Sequence, residues 1–439
     1  MSSDPALSSS AATSSSPAAA VAAQPLLGNK AKDGVDHTEH VLGRRRRASV
    51  ITRLIGHFHY ELDKPALITA ILLLEKNPGI DVLRKTILER VMRIPRFRSK
   101  LVLNRKSGGY FEEVTVDVGY HFEVFGFGKK VSREELNHFV ESIQEWPMDV
   151  EKPLWKMVHI PELEEGGSAV IFVIHHAIGD GISLVDVLLD LVDESDKLNP
   201  DTVSISKRAK APKLSFYKRT NAFMKGINQG MTMPLWKQDR PNPLKFKGKC
   251  GKGKLIASSG NKIELKRVKQ VAKQFANEHI SVNDVLLATL TKAVATYFKD
   301  HCETDPAKLE RKVRTQFLVN TRNRNEPVRN EHGDPYNAFS YGIMPLPLDA
   351  HKDFKTMMLR IKAEIDMIKH SPAFKLGRAQ LPYQVKTTPL PLILDLMDNL
   401  NNIATITISN VPGPQQQVSL AGAPIKVREI IHRLVGICY

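Results

Sequence analysis

The stretch FVIHHAIGDGIS, residues 172–183, carries the features that decide both the fold and the chemistry of this chain. An apolar run leads into two histidines, and an aspartate and a glycine follow before the next apolar run begins. Because successive residues of a strand point to opposite faces, His175 and His176 are predicted to have different surroundings. We expect one ring to face an open cleft, where a neutral imidazole can take a proton from a hydroxyl.

The residues after the histidine pair predict how this turn is held. Asp180 has a side chain that caps helices, so it is expected to begin a helix and fix the loop. Gly181 is expected to allow a backbone shape or a close contact that a side chain would forbid. Spacing alone leaves a structural histidine pair and a metal site open beside catalysis. No metal is predicted, since adjacent strand residues do not converge on one ion.

Hydrophobic periodicity around the turn predicts an α/β (α+β) fold. Apolar residues recur at helical spacing in 81–92, 133–146 and 281–298. The continuous apolar run 168–174 predicts a strand that is buried on both faces. For the helix in 281–298, the predicted buried face consists of Leu286, Leu290, Ala293, Val294 and Tyr297.

Shifts in composition predict the domain organisation. Residues 1–48 are rich in Ser and Ala and then basic, which indicates a disordered tail. Residues 49–198 are expected to form an N-terminal domain that carries HHAIGDG. The Lys-, Pro- and Gly-rich residues 199–259 indicate a basic linker or crossover, with a short helix near 216–227. Residues 260–439 are expected to form the second domain.

The net charge of +16 predicts an anionic partner. Aromatic residues make up only 7% of the chain, and no nucleic-acid-binding signature is present, so no nucleic acid partner is predicted. An anionic lipid surface or a phosphate-bearing substrate fits the charge. No apolar run approaches the roughly 18–20 residues that cross a bilayer, which favours contact along a membrane surface. The three cysteines lie far apart, which is typical of a reducing compartment.

The segment RRRRASV, residues 44–50, places four arginines before Ser49. A solvated basic tail, a membrane-surface anchor and a site for a basophilic kinase all fit this pattern. The membrane-surface anchor and the kinase site combine into one hypothesis. A phosphate on Ser49 would cancel part of the local charge and weaken contact with a membrane.

The fragment 153–192 resembles the wax ester synthase/diacylglycerol acyltransferase family. It contains Pro153-Leu154-Trp155, then a predicted strand, then HHxxxDG. The HxxxDG element alone is shared by the wider superfamily of CoA-dependent acyltransferases, so it is weakly specific. Four elements in the family's order are more specific, and the other three are RIPRFRSKLV (93–102), VNDVLLA (282–288) and SNVPGP (409–414).

This resemblance implies two chloramphenicol-acetyltransferase-like domains, with mixed sheets flanked by helices and an active-site channel at the domain interface. It implies acyl-CoA as co-substrate, no cofactor, and a long-chain alcohol or diacylglycerol as acceptor. The products are a wax ester or triacylglycerol and CoA. By the same resemblance His176 is the general base, and His175 assists it or is structural. Asp180 holds the loop through an arginine, for which Arg322 is the candidate.

The resemblance also nominates residues for substrate binding, each with a structural alternative. Ser281 followed by Asp284 fits a helix cap, and SNVPGP fits a rigid turn. Pro153 and Trp155 of the PLW element fit core packing as well as an acyl pocket. The substrate-binding candidates are Gly181, Pro153, Trp155, Asn283, Asp284 and Asn410.

The chain departs from the family pattern in two places. The family's opening Pro-x-Ser-x-x-Asp segment is not visible before His57, and the chain ends about 25 residues after SNVPGP, so a shortened second domain is expected. Two other functions stay open. One is acyl transfer to small alcohols, amines or carrier-bound groups, and the other is a non-catalytic lipid-surface protein. The expected location is the cytosolic face of the endoplasmic reticulum or a lipid droplet, with a plastid as the alternative.

Overall fold

The computed structural model describes residues 42–64, 66–104, 108–144, 146–197, 215–245, 263–302, 305, 308, 313–323, 326–350, 352–371, 373–410 and 416–432. The strands are β1 (Arg45–Arg47), β2 (Leu67–Leu74), β3 (Ser99–Asn104), β4 (Gly108–Glu113), β5 (Phe122–Val124), β6 (Trp155–Ile160), β7 (Ser168–His175), β8 (Arg314–Asn320), β9 (Phe339–Pro345), β10 (Ile406–Ile408), β11 (Ser419–Leu420) and β12 (Ala423–His432). The helices are α1 (Val50–Leu62), α2 (Ile80–Val91), α3 (Val118–His121), α4 (Arg133–Ile143), α5 (Gly181–Asp190), α6 (Phe216–Thr232), α7 (Leu265–Gln274), α8 (Val282–Cys302), α9 (Phe354–His370), α10 (Ala373–Thr387) and α11 (Leu390–Asn401).

A six-stranded mixed sheet in the order β11-β12-β2-β7-β6-β5 forms the centre of the first half. Strands β2 and β7 are antiparallel, and every residue of both is buried. Both strands are mainly apolar, as expected where each face of the sheet is covered. The prediction of a fully buried strand over 168–174 is therefore confirmed, and this strand delivers the histidine pair to its end.

The amphipathic helices of the first half pack as their periodicity predicts. The buried residues of α2 are Leu83, Ile87 and Val91. Helix α4 begins with a capping box, in which the Ser132 side chain accepts from the Glu135 amide and the Glu135 side chain accepts from the Ser132 amide. Its apolar face lies in the same core as α2 and the central sheet. Spacing in the sequence was sufficient to locate both helices.

The second half contains a three-stranded sheet in the order β10-β8-β9. Strands β8 and β10 are parallel, and β8 and β9 are antiparallel. Helices α8 and α9 pack together beside this sheet, and their buried residues form a second apolar cluster. The fold class of mixed sheets flanked by helices agrees with this arrangement.

The predicted buried face of α8 is wrong in part. Leu286 and Tyr297 are each 43% exposed, whereas Ala288, Thr291 and Phe298 are fully buried. Apolar residues surround most of this helix, so periodicity alone did not determine which side faces the core. Packing against α7 and α9 selects a stripe rotated from the predicted one.

The predicted tail and linker both contain regular structure. Arg45–Arg47 pairs with β4, and Ala48 is 2% exposed, so the tail prediction is wrong for residues 45–48. Residues 1–41 lie outside the described residues. Helix α6 is longer than the short helix expected near 216–227, because it packs against α9 and α10. Tertiary packing stabilises helices whose own propensity is weak.

The C-terminal part of the chain contributes strands to the first sheet. Strand β12, from the C-terminal part of the chain, pairs with β2 of the first sheet in antiparallel register. Helices α10 and α11 also contact α1. The division of the chain into two domains at residues 199–259 stays a prediction. The pairing of β12 with β2 shows that residues from both halves form one sheet. Within the described residues, no helix is long and apolar enough to cross a bilayer.

Candidate active site

The histidine pair lies in a turn held by main-chain hydrogen bonds. The amide of His175 donates to the carbonyl of Leu154 at 2.9 Å, and the amide of His176 donates to the carbonyl of Ala66 at 2.7 Å. Both side chains are enclosed, since His175 is 0% exposed and His176 is 4% exposed. The expectation of a ring facing an open cleft is therefore wrong. Residues of the second half cover His176, which sequence spacing could not anticipate.

The His175 ring points toward helix α1. Its Nδ1 accepts a hydrogen bond from the amide of Ala177 at 3.0 Å, so this nitrogen carries no proton. The proton therefore lies on Nε2, which is 2.6 Å from Nδ1 of His59. Burial, with smaller effects from His59 and His176, holds the pKa of His175 well below its usual value. His175 thus links the turn to α1 as a neutral ring.

The His176 ring points the other way, toward Asn337. The amide nitrogen Nδ2 of Asn337 donates to the carbonyl of His176 at 2.8 Å. This bond fixes the orientation of the Asn337 side chain, so its Oδ1 lies 3.1 Å from Nδ1 of His176. A carboxamide oxygen can only accept, so Nδ1 of the imidazole must carry the proton. Asn337 therefore leaves the basic lone pair of His176 on Nε2.

The surroundings of His176 favour the neutral ring. Burial is the largest influence and lowers its pKa, while Asp180 and the hydrogen bond to Asn337 act in the opposite direction. The Phe339 ring lies 5.2 Å from the imidazole, centroid to centroid. A neutral imidazole with a defined tautomer in an apolar setting can act as a general base toward a hydroxyl.

Asp180 and Arg322 form a buried ion pair that closes the turn. Oδ2 of Asp180 accepts from Nη1 of Arg322 at 2.8 Å, and Oδ1 accepts from Nη2 at 3.2 Å. The same carboxylate caps α5 by accepting from the Ser183 amide, and it accepts from the Ala338 amide at 2.8 Å. Arg322 also donates to the carbonyl of Tyr336 at 2.7 Å. The structure thus joins the two residues that the resemblance paired.

Gly179 makes a close contact in the turn that was not predicted from the sequence. A close contact at Gly181 stays a prediction. Gly181 is the first residue of α5 and does not have a positive φ. A Cβ at Gly179 would instead lie 2.6 Å from Oγ of Ser183 and 2.9 Å from Cβ of Pro335. The close contact is therefore made by Gly179, because a segment of the second half packs directly over it.

Asn283, Asp284 and Asn410 meet at the start of α8. Nδ2 of Asn410 donates to Oδ1 of Asn283 at 2.7 Å, and both residues are exposed. Asp284 is buried, and its Oδ2 accepts from the amide and the hydroxyl of Ser281, each at 2.7 Å. This is the helix-cap alternative. A substrate contact for the two asparagines stays a prediction, and residues 411–414 lie outside the described residues.

Trp155 and Pro153 have the surroundings of core residues. The Trp155 indole is 0% exposed, and its Nε1 donates to the carbonyl of Phe97 at 2.7 Å. Its ring stacks on His121 with 4.2 Å between centroids. Pro153 is buried and its carbonyl accepts from the Trp155 amide. The enclosed indole supports the strand that leads to His175, which fits the core-packing alternative. A role of Pro153 and Trp155 in an acyl pocket stays a prediction.

Ser49 is the N-cap of α1. Its hydroxyl oxygen accepts from the Thr52 amide at 3.2 Å, and its side chain is exposed. The preceding arginines lie in β1, where Arg46 donates to Glu113 at 2.6 Å. Recognition by a kinase, which reads an extended peptide, would therefore require β1 to leave its partner strand. Phosphorylation of Ser49 stays a prediction.

The segment before β9 contains site residues that sequence analysis missed. Asn337 orients His176, and the carboxylate of Asp334 accepts from the Arg96 amide at 2.8 Å. The Arg96 guanidinium donates to the carbonyl of Ile178 in the turn, and burial lowers its pKa to about 10. Residues 326–338 show no periodicity, so only the three-dimensional contacts reveal them. Among the described residues, no group of acidic, His and Cys side chains is arranged to hold a metal ion.

Two family models match the chain. One is described as the wax ester synthase/diacylglycerol acyltransferase catalytic domain and matches residues 66–238, and the other as the C-terminal domain of the same family and matches residues 336–430. Together they match more than half of the chain. These matches include the histidine turn and the segment that covers it.

Relatives at lower identity agree with the family models. Wax ester synthase/diacylglycerol acyltransferase 11 of Arabidopsis thaliana is 24% identical over 373 residues, which are 75% of this chain and 74% of the relative. The O-acyltransferase WSD of Acinetobacter baylyi is 23% identical over 348 residues, which are 73% and 72% of the two chains. Among solved structures, the first condensation domain of the CDA synthetase is 10% identical, with a TM-score of 0.55, and the match covers 89% of this chain and 85% of that one. The last similarity concerns the fold alone.

The Asn337–His176 contact generates a test by pH profile. In Asn337→Asp a carboxylate would lie against Nδ1–H, which stabilises the imidazolium and raises the pKa of His176. The reaction needs the neutral ring, so the acid limb of kcat/KM should move to higher pH by about 1 to 3 units. Among the described residues, the other ionisable groups that act on the ring include His175 and Asp180, and Asp180 is ion-paired with Arg322 in both proteins.

The matched control for this test is Asn77→Asp, which adds the same charge at an exposed turn. The control should keep the wild-type profile. An acid limb that stays in place in Asn337→Asp would show that Asn337 does not set the protonation of the base.

Proposed function

The chain belongs to the wax ester synthase/diacylglycerol acyltransferase family, and from this premise we propose that it moves a fatty acyl group from acyl-CoA to a long-chain hydroxyl. The acceptor is a fatty alcohol or diacylglycerol, and the product is a wax ester or triacylglycerol. The observation that carries the proposal is the pair of contacts between Asn337 and His176, from which the tautomer of the imidazole is inferred. Asn337 holds the proton on Nδ1 and leaves Nε2 as the base.

The proposed reaction is direct transfer through a tetrahedral intermediate. Nε2 of His176 takes the proton of the acceptor hydroxyl as its oxygen bonds to the thioester carbonyl carbon. The carbon–sulfur bond then breaks, and the imidazolium returns the proton to the departing CoA thiolate. All atoms are balanced by the two substrates, so we propose that no cofactor takes part. Holding both substrates in place contributes much of the acceleration.

The enclosure of His176 sets a condition on this mechanism. Only 4% of the residue is exposed, so the substrates must reach it by a narrow path or after movement of covering side chains such as Phe339. Enclosure also excludes water, which would otherwise compete with the acceptor for the acyl group. The two alternatives, transfer to small acceptors and a scaffold without activity, differ from the main proposal in their products.

Replacement of the base tests the proposal. We expect His176→Gln to lower kcat about 10²- to 10⁴-fold, because that is the contribution of a positioned general base. The assay is formation of labelled ester from radiolabelled palmitoyl-CoA, with hexadecanol and diacylglycerol offered together. The two labelled products also separate the two acceptors.

The control is His138→Gln on the exposed face of α4, which should keep wild-type turnover. Circular dichroism and thermal unfolding of both variants exclude a folding defect. Wild-type ester formation by a folded His176→Gln protein would refute the assignment. Absence of any product from the wild type, with either acceptor or a short alcohol, would favour a non-catalytic scaffold.

We also propose that the protein contacts an anionic membrane or lipid droplet surface through α7, on the cytosolic side. Lys266, Lys269 and Lys273 lie on one exposed face of this helix, and Leu265 beside them is 43% exposed. Ile263, which precedes the helix, is 72% exposed. Lysines beside exposed apolar residues are typical of helices that lie on anionic lipid. The endoplasmic reticulum is the proposed membrane, with a plastid as the alternative.

Vesicle flotation tests this contact. Each lysine near an anionic surface contributes about 1 kcal/mol, so replacing all three α7 lysines with glutamate should weaken binding to phosphatidylserine vesicles about 100-fold or more. The control replaces Lys85, Lys129 and Lys130 with glutamate. These lysines lie elsewhere on the surface, and the change in net charge is the same. Binding should also fall with added salt. Equal flotation of the α7 variant and wild type would contradict the proposal.

A further inference from the structure

Strands β8 and β9 present a partly open apolar face beside His176. Their antiparallel register places Leu318 opposite Tyr341 and Asn320 opposite Phe339. Because side chains alternate along a strand, these four residues lie on one face of the sheet. Leu318, Tyr341 and Phe339 are all half-buried, whereas Ile343, further along β9, is 5% exposed.

On the opposite face of the same strands, Phe317 and Val319 are also half-buried. The Phe317 ring packs over Gly342, where a Cβ would lie 2.6 Å from a ring carbon. Phe317 also packs against the second apolar cluster, together with Ile406 and Ile408. Phe317 thus fixes one side of β8, and Leu318 extends from the other side, on which Phe339 also lies.

Leu318 stands out among the apolar residues of this face. Within the described part of the chain, it packs against none of the three clusters of buried apolar residues. Phe339 packs against the first cluster and Tyr341 against the third. Leu318 thus lies beside Phe339 and Tyr341, which are packed, but does not itself pack against a buried apolar cluster. An apolar ligand on this face would bury it.

This face of β8 and β9 extends up to the ring of His176, the proposed general base. The Phe339 ring lies 5.2 Å from the His176 ring and 5.9 Å from the Tyr341 ring, centroid to centroid. The Tyr341 hydroxyl donates to Oδ1 of Asn401 at 3.1 Å, so its polar end is held by α11. The ring is half-buried and lies on the same face as Leu318.

The far end of the face is closed. Ile343 lies in the third cluster with Met233, Ile403 and Ala404. At the rise of an extended strand, Phe339 and Ile343 are about 13 Å apart. The strip defined by Phe339, Leu318 and Tyr341 therefore begins at the base and ends at packed side chains.

We propose that this strip binds the alkyl chain of a substrate and that Leu318 limits the length of the chain that the enzyme accepts. This inference rests on the proposed acyl transfer. The chemistry recognised is a saturated hydrocarbon chain, which either the acyl donor or the alcohol acceptor carries. The reacting carbon or oxygen lies at His176, and the chain extends along β9 toward Ile343.

The test changes the bulk of residue 318 and measures selectivity for chain length. Leu318→Trp fills the strip and should lower the ratio of kcat/KM for palmitoyl-CoA over decanoyl-CoA about tenfold or more, with hexadecanol fixed. A second arm fixes palmitoyl-CoA and compares hexadecanol with decanol. Leu318→Ala should shift the same ratio in the opposite direction.

The matched control is Val319→Trp, which adds bulk at the next residue, on the opposite face of β8. It should leave both ratios unchanged, and thermal unfolding identifies any variant that fails to fold. A shift in the first arm assigns the strip to the acyl chain, and a shift in the second arm assigns it to the alcohol. Unchanged ratios in folded, active Leu318→Trp and Leu318→Ala overturn the inference. Wild-type protein that forms no ester refutes the proposed function instead.

Discussion

The buried ion pair between Asp180 and Arg322 is the interaction on which the rest of the site depends. The two residues lie 142 positions apart in the chain, and their side chains are 7% and 3% exposed. The charges compensate each other in two hydrogen bonds, and the remaining capacity of the carboxylate is taken by the Ser183 and Ala338 amides. Burial of either charge alone would be strongly unfavourable. The pair therefore requires that the turn and the start of β9 be present together.

The catalytic geometry follows from that constraint. Once Asp180 binds the Ala338 amide, the preceding residue Asn337 is brought against His176, and the following residue Phe339 covers the ring. One carboxylate thus aligns three consecutive residues of the second half with the base. The close packing at Gly179 has the same origin. The ion pair does no chemistry itself, yet it determines which nitrogen of His176 is basic.

Much of this arrangement could be predicted from the sequence where local pattern carries the signal. The buried strand before His175, helices α2 and α4, and the cap at Asp180 all follow from spacing and residue type. Asn337 could not be found in this way, because it lies 161 positions from His176 in a segment without periodicity. The exposed face of α8 and the pairing of Arg45–Arg47 with β4 were likewise decided by packing partners distant in sequence. For the same reason the enclosure of His176 could not be anticipated.

A double-mutant cycle between Asp180 and Arg322 measures whether the site depends on their ion pair. Unfolding in denaturant would be measured for Asp180→Leu, Arg322→Leu and the double variant, with ester formation measured alongside. Each single variant should lose about 3 to 5 kcal/mol of stability, because it leaves an uncompensated buried charge. The double variant should be more stable than the sum of the single losses predicts, by about 1 to 3 kcal/mol, and should still lack full activity. Additive losses would contradict the account, since they would mean that the two residues act independently.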